Sequence, residues 1–201
     1  MSNGFLDKAY TKQDARQLYD RWADSYDAEV GDNGYATPGR CAAALRAHMS
    51  DLAQPVLDFG CGTGLSGLAL RLAGFSAIDG IDLSADMLKQ AAEKDLYRSL
   101  TIIEEDGALG HAPGDYHAIC AIGVIGAGAA PISVFDTLMD GLATGGRLVF
   151  SFNDHALEVA ENTDKLQQYV DQGLAHILFQ EYGDHLPGIN LKSNVYVIEK
   201  T

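Results

Sequence analysis

The strongest constraint on this chain is residues 55–64, which read Pro-Val-Leu-Asp-Phe-Gly-Cys-Gly-Thr-Gly. A short apolar segment carrying Asp58 runs straight into three glycines spaced by single residues. A second apolar segment ends in another acid, Asp82, within Gly80-Ile-Asp-Leu-Ser84, twenty residues beyond Gly62. Strand, glycine turn, helix, strand and terminal acid make the unit from which a parallel α/β sheet is wound. Gly60, Gly62 and Gly64 let the backbone turn tightly and approach a ligand with no Cβ atoms in the way. An acid at the tip of the neighbouring strand accepts hydrogen bonds from two ribose hydroxyls. This pattern predicts an α/β fold that holds a nucleoside-bearing ligand at the ends of its strands.

The spacing also bears on which nucleoside. A dinucleotide fingerprint reads G-x-G-x-x-G and cradles a pyrophosphate on backbone amides at a helix N-terminus. Here the string is D-x-G-x-G-x-G, so the Asp58 carboxylate stands beside the glycines. A carboxylate there repels a diphosphate and suits a ligand with a cationic end. Residues 56–64 resemble the first motif of the class I S-adenosylmethionine-dependent methyltransferases, and Gly80-Ile-Asp-Leu-Ser84 resembles their second. The resemblance implies S-adenosylmethionine as cofactor and S-adenosylhomocysteine as product. The cofactor's ammonium and sulfonium match the acid. A nicotinamide-dependent oxidoreductase is the rival that the Asp58 position and the glycine spacing oppose.

The 201 residues, 47 % of them hydrophobic, predict one globular domain with a sizeable core. No apolar run reaches the length of a membrane span, and the first residues lack a basic region followed by an apolar stretch. A cytoplasmic protein is expected. Cys41, Cys61 and Cys120 are widely spaced, and the histidines show no metal-ligand spacing, so neither disulfide nor metal is expected. Fourteen basic against 28 acidic residues leave a net charge of −14. That charge disfavours nucleic acid and anionic membrane as partners. The protein is expected to act as a monomer or homodimer.

Along the chain, residues 12–27 carry Leu18, Tyr19, Trp22 and Tyr26 at helical spacing, with Thr11 as a candidate cap and Asp14 in the first turn. Thr37-Pro38 opens a second helix, with Thr37 read as its N-cap. From residue 55 strand and helix alternate: strands at 56–59, 77–81, 100–104, 117–123 and 147–152, and helices at 65–73, 85–94 and 131–142. A further helix is expected at 163–172. Two last strands, near 177–182 and 195–199, are joined by a short Pro187-Gly188 loop and must be antiparallel. The expected fold is a doubly wound, Rossmann-like, seven-stranded sheet, mostly parallel with a C-terminal antiparallel hairpin. N-terminal lid helices occupy 1–54 and the cofactor-binding core 55–201 of a single domain. A reversed strand of this kind is known for class I methyltransferases and absent from the ordinary dinucleotide fold.

The resemblance assigns residues one by one. Asp58 lies beside the methionine end, and Gly60, Cys61 and Gly62 pass under it. Asp82 takes the ribose, with Leu83 next to it, and Met87 packs near the adenine or simply in the core. Asp106-Gly107 resembles the third motif, with the carboxylate accepting from the adenine amino group; a turn or cap role is the alternative. Ile122 and Gly123 close the site at the end of the fourth strand.

A helix bearing Trp22-Ala-Asp-Ser-Tyr-Asp27 ahead of the first strand echoes small-molecule methyltransferases, nearest to the Williams–Beuren-region methyltransferase-like subgroup. In that fold such helices form a lid. Trp22, Tyr26 and Tyr35 are then candidates for the substrate pocket, or packing residues, and Arg40 is a candidate partner of the methionine carboxylate. On the acceptor side the segment 123–131 is small and apolar, without the motif of nucleic-acid amino-methyltransferases or the histidine pair of many small-molecule enzymes. Asn153-Asp-His155 after the fifth strand offers an amide, a carboxylate and an imidazole. His155 is the candidate general base, Asp154 its alternative, and Asn153 a candidate substrate contact. The expected activity is methyl transfer to a small-molecule O or N acceptor by in-line displacement. A non-catalytic regulator that binds the same cofactor is the alternative.

Overall fold

The computed structural model describes residues 15–104, 109–126 and 129–201, with side chains from Tyr19 onward. The candidate cap Thr11, Asp14, and the pair Asp106-Gly107 lie outside the described residues. Seven strands form one sheet: β1 (Val56–Phe59), β2 (Ile78–Asp82), β3 (Ser99–Ile102), β4 (Ala118–Ala121), β5 (Arg147–Asn153), β6 (Ala175–Leu186) and β7 (Leu191–Lys200). Their order is β3-β2-β1-β4-β5-β7-β6. The first five are parallel, and β7 runs antiparallel to both β5 and β6. The strand order reverses between β1 and β4. In open α/β sheets the crevice outside the carboxyl ends at such a reversal is where ligands bind.

The two faces of the sheet follow from the two-residue period of a strand. Leu57, Ile119, Leu148 and Phe150 point to one face, under α5 (Val134–Gly141) and α7 (Ala160–Asp171). Val56, Ala118, Cys120 and Val149 point to the other, under α2 (Thr37–Ala47) and α3 (Leu65–Ala73). The helix α3 closes on Gly74, which takes the left-handed conformation at φ 103° and donates to the carbonyls of Leu70 and Arg71. One glycine inside α3 is required by packing. A Cβ on Gly67 would lie 2.3 Å from the Tyr97 hydroxyl oxygen, and that hydroxyl is pinned by its bond to Asp58. Gly67→Ala is therefore expected to destabilise the fold by about 2–3 kcal/mol, read as a fall of roughly 5–10 °C in Tm by circular dichroism.

The C-terminal hairpin is longer than its sequence pattern indicates, 12 residues in β6 and 10 in β7. The overhang supports the N-terminal helices, expected from the sequence to form a lid. Leu186 and Leu191 near its tip pack with Trp22, Ala23 and Val30 of α1 (Ala15–Asp32). Gly188 donates to the carbonyl of Asn33 at 3.0 Å, and Ala36 to that of His185 at 2.9 Å. The helix α1 runs five residues beyond the expected end, because the next turn continues until Asn33 folds its amide onto the Glu29 carbonyl. Thr37 does not cap α2. Its hydroxyl is drawn into the hairpin, bonded to Ser193 Oγ at 2.9 Å and His185 Nδ1 at 2.8 Å. A short helix, α6 (Asp154–Leu157), follows β5 where none was expected. None of the helices among the described residues is long and apolar enough to cross a membrane.

Candidate functional site

The glycine loop is held from below by the second strand. Gly60 and Cys61 both donate to the Ile81 carbonyl, at 2.8 and 3.1 Å. Gly60, Gly62 and Gly64 all have positive φ, at 67°, 54° and 93°, where an L side chain is strained. Their surroundings differ. A Cβ on Gly60 would strike Val124 at 2.6 Å, whereas one on Gly62 would meet nothing within 4 Å. Gly62 therefore presents bare backbone to open space at the strand ends.

Asp82 at the tip of β2 faces that space. Its Oδ2 accepts from the Gly62 amide and its Oδ1 from the Ser84 amide, both at 2.8 Å. Burial pushes its carboxyl up, while the bonds from Ser84, Gly62 and Leu83 pull it back down. Both oxygens are thereby held at the loop as acceptors, the chemistry that a ribose diol needs. Ser84 caps α4 (Ala85–Glu93) by accepting from the Met87 amide at 3.1 Å, so the acid and the helix start are set by one turn.

Asp58 stands behind the loop and does not line the cavity. It is 1 % exposed, and its Oδ2 accepts from Ser66 at 2.6 Å and Tyr97 at 2.8 Å. Its Oδ1 is buried without a hydrogen-bond partner. Burial pushes the carboxyl up to about 6, against the two hydroxyls that hold it down, and Asp82 adds a smaller push upward.

These elements open into a cavity of about 390 Å³. Its floor includes Gly60, Cys61, Gly62 and Asp82, with Leu83, Met87, Ile122 and Gly123 around it. Tyr19, Tyr26 and Tyr35 from the lid line the opposite side. Tyr35 reaches the end of the sheet at Gly123. A Cβ on Gly123, itself at φ 71°, would lie 2.3 Å from the Tyr35 hydroxyl oxygen. The Tyr35 ring meets His185 edge-on at 5.2 Å, and burial keeps that imidazole neutral by pushing it down to about 4.

The structure takes the other candidates elsewhere. Trp22 is 2 % exposed and lies between Tyr19 and Tyr26 in the lid's own core. Arg40 turns to the hairpin, donating to Glu181, to the Asp184 carbonyl and to Ser193. Asn153 is the N-cap of α6, its Oδ1 accepting from Ala156 at 2.9 Å. That cap turns the next residues away from the cavity. Asp154 accepts from the Tyr182 hydroxyl at 2.7 Å and the Lys192 amide at 2.9 Å. His155 is exposed on α6, and neither it nor Asp154 lines the cavity. Residues that the sequence reading passed over do line it: Tyr19, Thr63, Ser84 and Glu104. Tyr19 had a signal, its seven-residue spacing from Tyr26 on one helix face. Thr63 was hidden inside the glycine string.

The sheet order, the glycine turn and the acid-tipped second strand define an α/β protein built to hold a nucleoside cofactor. The exposed Gly62 backbone, the diol-ready Asp82 and the orphaned Asp58 oxygen fit a cofactor with a ribose and a cationic end. Comparison with known proteins agrees. The family described as methyltransferase domain matches residues 57–148. Methyltransferase-like protein 27 of Homo sapiens is 32 % identical over 128 residues, 60 % of this chain and 51 % of that protein. The chain thus spans about half the length of the curated relative it matches. Among solved structures, a chain from the complex between the Haloferax volcanii Trm112 methyltransferase activator and a methyltransferase superposes with a TM-score of 0.72 at 17 % identity, covering 93 % of this chain and 97 % of that one. Magnesium protoporphyrin IX methyltransferase from Synechocystis PCC 6803, solved with bound S-adenosylhomocysteine, gives 0.63 at 17 % identity, covering 98 % and 93 %. Over residues 57–148 the chain is thus similar to the methyltransferase-domain family, and it shares the fold of S-adenosylmethionine-dependent methyltransferases.

Proposed function

We propose that this protein transfers the methyl group of S-adenosylmethionine to a small-molecule O or N acceptor. One observation carries the reading: a single cavity joins the acid-and-glycine cofactor floor to the tyrosines of the lid. When bound, the cofactor supplies an electrophilic methyl on a sulfonium. Asp82 accepts from the ribose hydroxyls, and the backbone of Gly60–Gly62 lies under the methionine end. Asp58 sets a negative potential behind that loop for the ammonium. Leu83 and Met87 border the adenine, and Asp106 and Gly107 are proposed to complete its site. Ile122 and Gly123 bound the reacting end, with Tyr35 as the polar group beside them.

Displacement at a sulfonium asks mainly for alignment and exclusion of water. The rigid glycine floor and the tyrosine-lined lid supply both. The net charge of −14 supports a neutral or cationic acceptor over a polyanion. The placement of Asp154 and His155 on the far side of the Asn153 cap favours the second reading, a cofactor-binding regulator without transfer.

The test is incubation with methyl-labelled S-adenosylmethionine and a panel of phenols, amines and thiols, alongside RNA and protein fractions. Label in a small-molecule product, absent from reactions with Gly123→Ala, is the expected result. Label confined to RNA or protein overturns the small-molecule reading. Cofactor bound with no transfer to any fraction supports the regulator.

A further inference from the structure

The lid is fastened to the glycine loop by a closed set of three contacts. Thr63 sits between Gly62 and Gly64, and its buried hydroxyl donates to Asp27 Oδ1 on α1 at 2.5 Å. The Lys94 ammonium at the end of α4 donates to the Thr63 carbonyl at 2.6 Å. The same ammonium meets Asp27 Oδ2 at 2.9 Å. One peptide of the loop is thereby gripped at both its side chain and its carbonyl. The two grips come from elements 31 and 36 residues away. A fourth contact, the Ser84 hydroxyl on Asp20, fastens α1 beside the Asp82 turn as well.

The chemistry of the loop makes such a grip consequential. Gly62 and Gly64 flank Thr63 at positive φ, and glycine has more backbone freedom to lose than any other residue. A loop free to sample that space would have to be ordered by its ligand, at the expense of affinity. From this geometry we infer that Asp27, Thr63 and Lys94 form a positioning triad. It holds the glycine loop in its ligand-ready shape and makes affinity for the amino-acid half of the cofactor depend on the lid.

The inference rests on the cofactor reading above, and it distinguishes the two halves of the ligand. The adenosine half is assigned to Asp82, which β2 and the Ser84 amide hold from outside the triad, its other bond coming from the Gly62 amide. The homocysteine half lies over the gripped loop.

The experiment is calorimetric titration of wild type, Thr63→Val, Thr63→Ser, Asp27→Ala and Lys94→Met with S-adenosylhomocysteine and, separately, with adenosine. Charge-assisted hydrogen bonds of this kind set the scale. Thr63→Val, Asp27→Ala and Lys94→Met are expected to weaken S-adenosylhomocysteine by about tenfold or more, with adenosine nearly unchanged. Thr63→Ser keeps the hydroxyl and is expected to retain wild-type affinity. The Asp27→Ala, Lys94→Met double variant is expected to lose less than the two single losses combined, because the groups act as one unit. Equal weakening of both ligands, or unchanged S-adenosylhomocysteine affinity in Thr63→Val and Asp27→Ala, overturns the triad. Wild type that binds neither ligand overturns the cofactor reading itself.

Discussion

Asp82→Ala is expected to weaken S-adenosylhomocysteine by about a hundredfold, because the substitution removes two hydrogen bonds to a charged acceptor and the ribose partner together. The carboxylate spans the Gly62 amide and the Ser84 amide. Without it the loop loses a tie to β2, and the Gly62 and Ser84 amides lose their acceptor. Fold stability should change much less than affinity. The half-buried carboxylate is already pushed up, so its removal relieves a desolvation cost as it breaks those bonds. Calorimetry on Asp82→Ala and Asp82→Asn, each with a melting curve, separates the two effects. Asparagine keeps the shape and one acceptor, so it should fall between wild type and alanine. Full affinity in the alanine variant would mean the ribose is held elsewhere.

Asp58→Asn should make the protein more stable above pH 6 while weakening its hold on the cofactor. The ordinary value of the carboxyl is 3.8, and burial pushes it up to about 6. The folded chain therefore keeps that proton more tightly than the unfolded chain does. Stability from this group is fully present below pH 3.8 and lost as pH rises through 6. Asparagine stays neutral throughout and still accepts from Ser66 and Tyr97. The Tm difference, variant minus wild type, is expected near zero at pH 4 and to approach its full value by pH 8. A shift of about two pH units corresponds to roughly 3 kcal/mol, or about 5–10 °C in a chain of this size. A residue retained at such an expense to stability is the kind that serves a site. A cationic ligand above the loop is expected to lower the carboxyl back toward its ordinary value. A Tm difference that stays flat from pH 4 to pH 8 would show that Asp58 is no net burden.

Much of the geometry of the glycine loop and its flanking elements was legible in the sequence. The glycine string marked a turn that only glycine tolerates, and all three residues have positive φ. Ser84 ahead of a helical pattern marked a cap, and it accepts from the Met87 amide. The apolar run at 117–123 marked a strand suited to burial on both faces, and β4 is buried along its whole length. The short Pro187-Gly188 connection required an antiparallel pair, and β6 and β7 form one.

The lid and the acceptor end were not legible in the same way. Arg40 was read as a cofactor contact, yet its five-donor guanidinium finds the hairpin, 141–153 residues along the chain. Thr37 looked like a cap, and its hydroxyl instead joins Ser193 and His185. Asn153 looked like a substrate contact, and it caps a four-residue helix that carries Asp154 and His155 away from the cavity.

What this sequence determined by itself is whatever the backbone demands locally: positive φ at glycines, a cap before a helix, an apolar run for a buried strand, a turn too short for a crossover. Each of these is decided within a few residues, so neighbouring letters record it. Only the tertiary structure decided which polar side chains meet across the sheet, and hence that the hairpin supports the lid and that Asp27 and Lys94 grip Thr63. Those choices depend on reach, burial and competition among partners far apart in the chain, and no local pattern of residues encodes them.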